Sequence, residues 1–272
     1  MELALQLFKD LWDRTAEAPL DINRNAPQVP SGELLRCLIS GTPVYFDPII
    51  HVYRGADGQR WQGGSTFANK FKSQFAGNVI SGKMADKYGV DASDILAMWK
   101  LNAEASSTLG TAVHAALQLY GEYLELSKAT KDGSDEAALT SNPVLRPIVL
   151  AFFKGPRATE KAFYEAFVAD PVTRSCGLID RLVAEDDGLW VEDYKTNADI
   201  EKEQTILPPF KGVVPNTSLG GYWLQLSFYA HILMSHGRIV KGLRIHHWTG
   251  TEWITYEHPV VDLTVTEPFG AK

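Results

Sequence analysis

Three charged residues interrupt two neighbouring apolar stretches of this sequence and could act together on a substrate. Asp180 belongs to the first stretch, Asp193 and Lys195 belong to the second, and an acidic turn that ends in Asp187 and Gly188 separates the two. Carboxylate oxygens are preferred ligands of hard divalent cations such as Mg²⁺. A lysine beside such a cation can stabilise negative charge that develops during a reaction. These residue types therefore indicate a candidate site for metal-assisted chemistry.

The acidic turn predicts a β-hairpin that brings the three charges together. An Asp-Gly pair between β-prone segments favours a two-residue turn, because glycine accepts a positive φ. If Asp187 and Gly188 are the turn residues, Asp180 pairs with Lys195. Residues two apart share a face of a strand, so Asp180 and Asp193 become diagonal neighbours roughly 7–8 Å apart at the backbone. The alternative is a solvated face with one surface ion pair, but charges inside apolar strands favour a functional site.

A histidine lies beside a helical stripe earlier in the chain. Apolar residues repeat at helical spacing from Val113 to Leu124, which places His114 at the border of a core-facing stripe. A histidine in such a place is most often an ordinary boundary residue, but a neutral imidazole is also a common ligand of divalent metals. Gly110 and Thr111 predict the start of this helix, whose free amides would then approach a phosphate.

Two further positions carry polar groups on apolar elements. Glu165 interrupts an apolar strand predicted at residues 163–169, where a charge either faces a sheet edge or acts as a ligand. Glu160 is a nearby alternative for the same role. Gln225 and Tyr229 are four residues apart on a predicted helix, so their side chains point the same way. They are either a polar rim of that helix or contacts to a substrate.

Taken in order, these stretches resemble the PD-(D/E)xK nuclease superfamily, and within it the RecB-like branch that includes phage and mitochondrial exonucleases. The core motif is represented by GLID, which ends at Asp180, and by EDYKT at residues 192–196. GTAVH, which ends at His114, resembles the upstream histidine motif of that branch. Gln225 and Tyr229 resemble its downstream Gln/Tyr helix. The resemblance covers roughly residues 108–232, and Glu165 stands where the family often has an acidic residue.

The resemblance implies an α/β fold with a restriction-endonuclease-like core, in which helices flank a mixed central β-sheet on both sides. It implies a metal-dependent DNA exonuclease that hydrolyses phosphodiester bonds with Mg²⁺ or Mn²⁺. The implied metal ligands are His114, Asp180, Asp193 and the backbone carbonyl of Tyr194. The implied catalytic residues are Asp180, Asp193, Lys195 and Glu165.

The resemblance also implies what the site would act on. Thr196, Gln225 and Tyr229 would contact the substrate, a DNA single strand or duplex end. The expected setting is DNA recombination, repair or phage DNA processing, with a recombination or single-strand-binding protein as a candidate partner. Two alternatives remain within the same resemblance. One is a DNA-binding or recombination-partner module that keeps the nuclease fold without cleavage, and the other is an endonuclease of the same superfamily.

The whole chain sets limits on these expectations. Its 272 residues suit one large α/β domain or two small ones. Two cysteines, Cys37 and Cys176, favour a reducing compartment and cannot supply the four thiolates of an iron–sulfur cluster. We therefore expect a cytoplasmic protein, in a bacterial or phage-infected cell, with no iron–sulfur cluster and no membrane partner. We expect an N-terminal helical and loop segment at 1–40, then a nuclease domain at 41–272 that opens with a β-hairpin preamble at 41–65.

The net charge of −7 argues mildly against a nucleic-acid partner, because a generic DNA-binding domain carries a basic excess. A metal-binding acidic cluster would contribute several of the negative charges, and a basic channel can be local. The candidates for that channel are Lys70, Lys72, Lys83, Lys87, Arg174, Arg181 and Lys211.

Periodicity and turn residues predict the remaining elements. Helices are expected at 1–18, 66–76, 81–106, 144–153 and 222–235, and strands at 43–54, 59–65, 163–169, 239–248 and 252–260. Residues 127–142 are expected to form a loop or linker. The Pro- and Gly-rich stretch at 198–221 follows Lys195 and reads as a lid or binding loop beside the substrate.

Overall fold

A computed structural model describes residues 32–130 and 141–270 of the chain. The predicted helix at 1–18 lies outside these residues, as does most of the predicted loop at 127–142. The described strands are β1 Glu33–Arg36, β2 Pro43–Asp47, β3 Val52–Gly55, β4 Arg60–Gly63, β5 Ala162–Asp170, β6 Ser175–Glu185, β7 Gly188–Lys195, β8 Val240–Trp248 and β9 Trp253–His258. The described α-helices are α1 Gly64–Asn69, α2 Gly77–Tyr88, α3 Ala92–Thr130, α4 Leu145–Phe152 and α5 Ser218–Ser235, and a 3₁₀ turn covers Gly155–Ala158.

All nine strands belong to one mixed sheet, which confirms the α/β class. The strand order is β1-β2-β3-β4-β6-β7-β8-β9, and β5 pairs with β6. Strand β4 runs parallel to β6 and β7 runs parallel to β8, whereas the other pairs are antiparallel. The strands of the expected preamble and strand β1 therefore continue the same sheet as the motif strands.

Two helical layers cover the sheet. Helix α5 packs against one face through a large core cluster that includes Leu182, Val191 and Trp223. Helices α3 and α4 pack against the other face with Tyr194, in a cluster that includes Val113 and Phe152. Successive residues of a strand point to opposite faces, so the burial of both Val191 and Tyr194 requires a layer on each side.

The helix that carries His114 differs from the prediction. Helix α3 runs without interruption from Ala92 to Thr130, so Gly110 and Thr111 lie inside it and do not open it. The expected free amides at Gly110 are therefore used within the helix, and the predicted phosphate contact there is wrong. The predicted helix at 81–106 divides instead at Gly89, whose φ of 67° ends helix α2. Asp91 accepts a hydrogen bond from the Ser93 N–H at 2.7 Å and begins the new helix.

Other predicted boundaries shift for local reasons. The predicted strand at 43–54 breaks into β2 and β3, because residues 48–51 turn. The predicted helix at 66–76 ends as α1 at Asn69. Helix α5 begins four residues before the predicted Tyr222 and ends at the predicted Ser235. No helix in the described part of the chain is both long enough and apolar enough to cross a membrane.

The stretch after β7 is anchored rather than free to act as a lid. Ile200, Ile206, Phe210 and Val214 are buried in the same core cluster as helix α5. Apolar side chains that are buried along a loop hold its backbone in one place. The expected lid is therefore a packed part of the core layer.

Candidate active site

The hairpin forms with a different register from the predicted one. Glu185 pairs with Gly188, and the ladder continues to the pair of Arg181 and Glu192. The turn residues are Asp186 and Asp187. The predicted pair, Asp187 and Gly188, is wrong because the turn lies one position earlier in the chain. The next positions along the ladder are Asp180 and Asp193, which places them opposite one another. The pairing between β6 and β7 is therefore shifted by two residues from the prediction. Because side chains alternate with a period of two, this shift does not change the face on which a regular strand places each residue.

The alternation of side chains between the two faces of the sheet breaks at Asp180 and at Glu165, its neighbour on the adjacent strand β5. In a regular strand, residues three apart point to opposite faces. Ile179 and Leu182 are nevertheless both buried against helix α5. Tyr164 pairs with Arg181 and Ala166 pairs with Ile179, so Glu165 lies opposite Asp180. A local change of direction in both strands therefore occurs where the two acidic residues meet.

The backbone of Glu165 explains this change of direction. Its φ is 46°, in the left-handed region that non-glycine residues rarely adopt. Such a conformation costs about 1–3 kcal/mol and concentrates at functional sites. The sequence pattern does not contain a signal for it, because glutamate is not a residue that favours positive φ.

Asp180 also lies where the partner strand on one edge of β6 changes from β4 to β7. Strand β5 follows one edge of β6 along its whole length. On the other edge, β4 pairs only with Ser175 and Cys176, and β7 pairs from Arg181 onward. Among the described strands, residues 177–180 of β6 therefore have no partner on this edge, and the gap between β4 and β7 ends at Asp180. Crevices between diverging strands are frequent ligand sites in α/β sheets.

Helix α3 brings His114 beside Asp180. The His114 Nδ1 lies 3.3 Å from the Asp180 Oδ2, and the Tyr194 N–H donates to the same oxygen at 2.8 Å. Burial opposes charge on Asp180, but the His114 ring and the Tyr194 amide hold the pKa of Asp180 below its usual value. Burial likewise opposes protonation of His114, and the Asp180 carboxylate raises the pKa of His114. The His114 side chain therefore lies beside Asp180, as its prediction requires. The Tyr194 carbonyl as a metal ligand stays a prediction.

Gly110 allows the close approach of helix α3. A Cβ at Gly110 would lie 3.2 Å from the Thr196 Oγ1, which is closer than most Cβ contacts. Thr196 directly follows β7, so helix α3 approaches the end of this strand at Gly110. The role of Thr196 in substrate binding stays a prediction.

Asp193 and Lys195 form a buried pair on the next strand. The Lys195 Nζ contacts the Asp193 Oδ2, and the Asp193 side chain is 6% exposed. Burial raises the pKa of Asp193 to about 6, with the Asp180 carboxylate adding to the effect against the opposing Lys195 charge. Lys195 also lies over the ring of Tyr222 on helix α5, 4.7 Å from its centroid. Tyr222 is a site neighbour that the sequence reasoning missed, although it lies three residues before Gln225.

The structure separates the two acidic candidates, Glu165 on β5 and Glu160 before this strand. Burial, together with the charges of Asp180 and Asp193, raises the pKa of Glu165 to about 7 against the opposing effect of His114. Glu165 therefore belongs to the same electrostatic cluster as the two aspartates. The Glu160 carboxylate instead accepts a hydrogen bond from Arg181 at 2.7 Å. Glu160 therefore belongs to a different charged cluster, and Glu165 is the candidate that lies near the two aspartates.

Arg181 is not part of a basic channel. Its side chain is fully buried and donates at 2.6 Å to Glu192. The alternation of the strand explains this correction, because Arg181 faces helix α4 while Leu182 faces helix α5.

Gln225 and Tyr229 point the same way, as the helical spacing predicted. The Gln225 Nε2 donates to the Tyr229 hydroxyl at 3.3 Å. The Tyr229 ring packs over Gly64 and Gly177, where a Cβ would lie 2.5 and 2.4 Å from ring carbons. Tyr229 is largely buried between β4, β6 and helix α5, while Gln225 is half-buried. The pair therefore lies over the stretch of β6 where β4 and β7 leave a gap.

The donor set suits a hard divalent cation in chemistry. It combines three carboxylates and an imidazole with a lysine as the adjacent charge, and carboxylate oxygens favour Mg²⁺ and Mn²⁺. Among residues 32–130 and 141–270, no group of three or more His, Cys, Asp or Glu side chains stands in ligand geometry. Asp193 is instead paired with Lys195, and Asp180 with His114. The residues fit the metal by type and location, and two of the three carboxylates contact side chains that can carry positive charge.

Comparison with known proteins adds no assignment. No family model matches the chain, and no curated protein matches it at a significant level.

Proposed function

We propose that this chain is a Mg²⁺- or Mn²⁺-dependent deoxyribonuclease of the PD-(D/E)xK type. One observation carries the proposal: Asp180 lies between Glu165 and Asp193 on three adjacent strands, with His114 at 3.3 Å and Lys195 beside Asp193. The order and types of these residues are those of the resemblance. Their location where β4 and β7 leave a gap along β6 supports a site that admits a substrate.

Each side chain has a role in this proposal. His114, Asp180 and Asp193 would hold the cation, which when bound would polarise the scissile phosphate and lower the pKa of a coordinated water. Lys195 would orient that water and stabilise developing negative charge. Glu165 would add a carboxylate at the same place, and its strained backbone fixes its direction. Thr196, Gln225 and Tyr229 would position the DNA strand along this gap.

Exonucleolytic action on a single strand or duplex end follows from the branch that the sequence resembles. The experiment compares end-labelled linear DNA, single-stranded and duplex, with closed circular DNA, in Mg²⁺, Mn²⁺ or EDTA. We expect cleavage of the linear forms, dependence on the metal, and survival of the circle. Cleavage of the circle would instead favour an endonuclease of the same type.

A matched pair of variants ties the activity to the site. Asp180→Asn should abolish cleavage, whereas Asp86→Asn, on the exposed side of helix α2, should retain it. A folded wild-type protein that binds DNA but cleaves none of these substrates would favour the non-cleaving alternative. Cleavage by Asp180→Asn at the wild-type rate would contradict the proposed site.

A further inference from the structure

Lys72, outside the motif strands, lies beside Gly221, the residue that precedes Tyr222, and Lys195 lies over the Tyr222 ring. Lys72 lies three residues after helix α1, and its side chain crosses Gly221 at the start of helix α5. The Lys72 Cδ and Nζ lie 2.7 and 3.3 Å from the position that a Cβ on Gly221 would occupy. The missing side chain at Gly221 therefore leaves a path that the lysine fills.

The backbone of Lys72 is fixed by the stretch that follows Lys195. Lys72 forms an isolated β-bridge with Ile206. The Ser73 N–H donates to the Thr205 carbonyl at 3.0 Å. Ile206 is fully buried in the α5 core cluster, so these contacts tie Lys72 to a rigid part of the molecule.

Lys72 and Lys195 lie against adjacent residues of helix α5, because Lys72 crosses Gly221 and Lys195 lies over the Tyr222 ring. Burial lowers the pKa of Lys72, and the nearby charge of Lys195 lowers it further. Lys195 is compensated by Asp193. In the described ranges, by contrast, no ion pair connects Lys72 to a carboxylate. Of the two lysines, Lys72 is therefore the one whose charge is available to an anionic group of a substrate.

We infer that Lys72 binds a phosphate of the substrate strand that neighbours the scissile phosphate. The inference rests on the proposed function and deepens it, because it assigns a phosphodiester-binding position to a residue outside the resemblance. A lysine ammonium binds phosphate as a compact point charge. The scissile phosphate belongs at Lys195, and the half-buried Lys72 offers the adjacent cation.

The first test measures DNA binding without cleavage. A fluorescein-labelled single-stranded oligonucleotide is titrated with protein in Ca²⁺ at several KCl concentrations, for wild type, Lys72→Met and Lys161→Met. Lys161 is an exposed lysine beside the Asp186–Asp187 turn and serves as the matched control. We expect Lys72→Met to reduce the salt slope by about one, the value for one lost phosphate contact. Lys161→Met should keep the wild-type slope, and Lys72→Arg should restore it.

The second test locates the phosphate. Oligonucleotides with a single uncharged methylphosphonate linkage next to the scissile bond are compared with all-phosphate substrates. The substitution should slow wild type and Lys161→Met, but should add little to the defect of Lys72→Met, because the contact is already absent. A purely structural role for Lys72 would leave the two defects additive, and that result would overturn the inference.

The outcomes separate the two proposals. If wild type neither binds nor cleaves DNA, the proposed function fails and the phosphate position fails with it. If wild type cleaves DNA and Lys72→Met has the same salt slope and rate as Lys161→Met, only the inference about Lys72 fails. Circular dichroism spectra and melting curves confirm that each variant compared is folded.

Discussion

At the scale of single residues, the candidate site holds more acidic groups than cationic partners. Glu165, Asp180 and Asp193 share the side chains of His114 and Lys195. Burial raises the pKa of Glu165 to about 7 and that of Asp193 to about 6. Near neutral pH, Glu165 is therefore partly protonated, and a nearby divalent cation would favour its ionised form.

The raised pKa of Glu165 gives a pH prediction. A carboxylate whose pKa is higher when folded contributes stability that is complete below its unfolded pKa and is lost as pH rises through about 7. Glu165→Gln removes this group. In EDTA, the melting temperature of wild type should therefore fall more between pH 5 and pH 8 than that of Glu165→Gln. Glu201→Gln, at an exposed position, should follow wild type, and parallel curves for all three proteins would contradict the assignment.

Lys195 separates metal binding from chemistry. An ammonium beside a dication is repelled by it, so Lys195→Ala should leave Mn²⁺ affinity unchanged or slightly higher. Cleavage should fall by about 10²-fold or more, the usual loss for one electrostatic contributor. Asp193→Ala should lower both quantities, and His114→Ala should weaken Mn²⁺ binding. Calorimetric Mn²⁺ titrations beside cleavage rates provide the measurement, and wild-type cleavage by Lys195→Ala would rule out the proposed mechanism.

At the scale of elements, helix α3 depends on glycines for its position on the sheet. Gly110 allows contact with Thr196, and Gly121 lies under the ring of Tyr164, where a Cβ would be 2.2 Å from the Cζ. Tyr164 adjoins Glu165, so this contact positions the helix directly beside the strained residue. The helix and strand β5 therefore form one rigid support for His114 and Glu165.

A pair of glycine variants tests that support. Gly121→Ala should destabilise the protein by about 1–3 kcal/mol, the usual cost of overpacking a close contact. Gly82→Ala, on helix α2 with open space around the added methyl group, should stabilise it by up to about 1 kcal/mol. Urea denaturation measures both. Equal effects at the two positions would show that helix propensity, and not the contact with Tyr164, decides the outcome.

At the scale of the whole molecule, a second charged cluster stabilises the opposite face of the sheet. Glu192 is buried and accepts from Arg181, and its other contacts are with His246 and Arg244 on β8. Burial opposes charge on Glu192, but His246 and Arg181 lower the pKa of Glu192 to about 2. Burial also lowers the pKa of His246. The permanent charge of Arg181 therefore compensates Glu192 at neutral pH. The contacts of this cluster join strands β6, β7 and β8 under helix α4.

Removing one partner of this cluster should be costly. Arg181→Met leaves Glu192 buried without its main cation, and we expect a loss of about 3–5 kcal/mol in the free energy of unfolding. Glu192 has a lowered pKa, so its contribution is present above its unfolded pKa and is lost as pH falls through about 2. Wild type should therefore lose more stability than Arg181→Met between pH 5 and pH 2. Urea denaturation across that range checks the prediction, and equal losses would argue against it.

The sequence alone determined what depends on local periodicity and turn chemistry. It predicted the hairpin, strand β5, helices α4 and α5, and the closing pair of β8 and β9. It also predicted the shared face of Asp193 and Lys195, because residues two apart on one strand point the same way whatever the register of the neighbouring strand. The common side of Gln225 and Tyr229 followed from helical spacing in the same way.

The tertiary structure alone decided what depends on contacts between distant segments. The choice of Glu165 over Glu160 required the position of Arg181, and the strained φ of Glu165 required its neighbours on β6. Lys72 lies beside Gly221 only because a buried loop holds its backbone. Hydrophobic and turn patterns report the preference of each segment for a conformation, whereas these outcomes depend on which segments the packed core brings together.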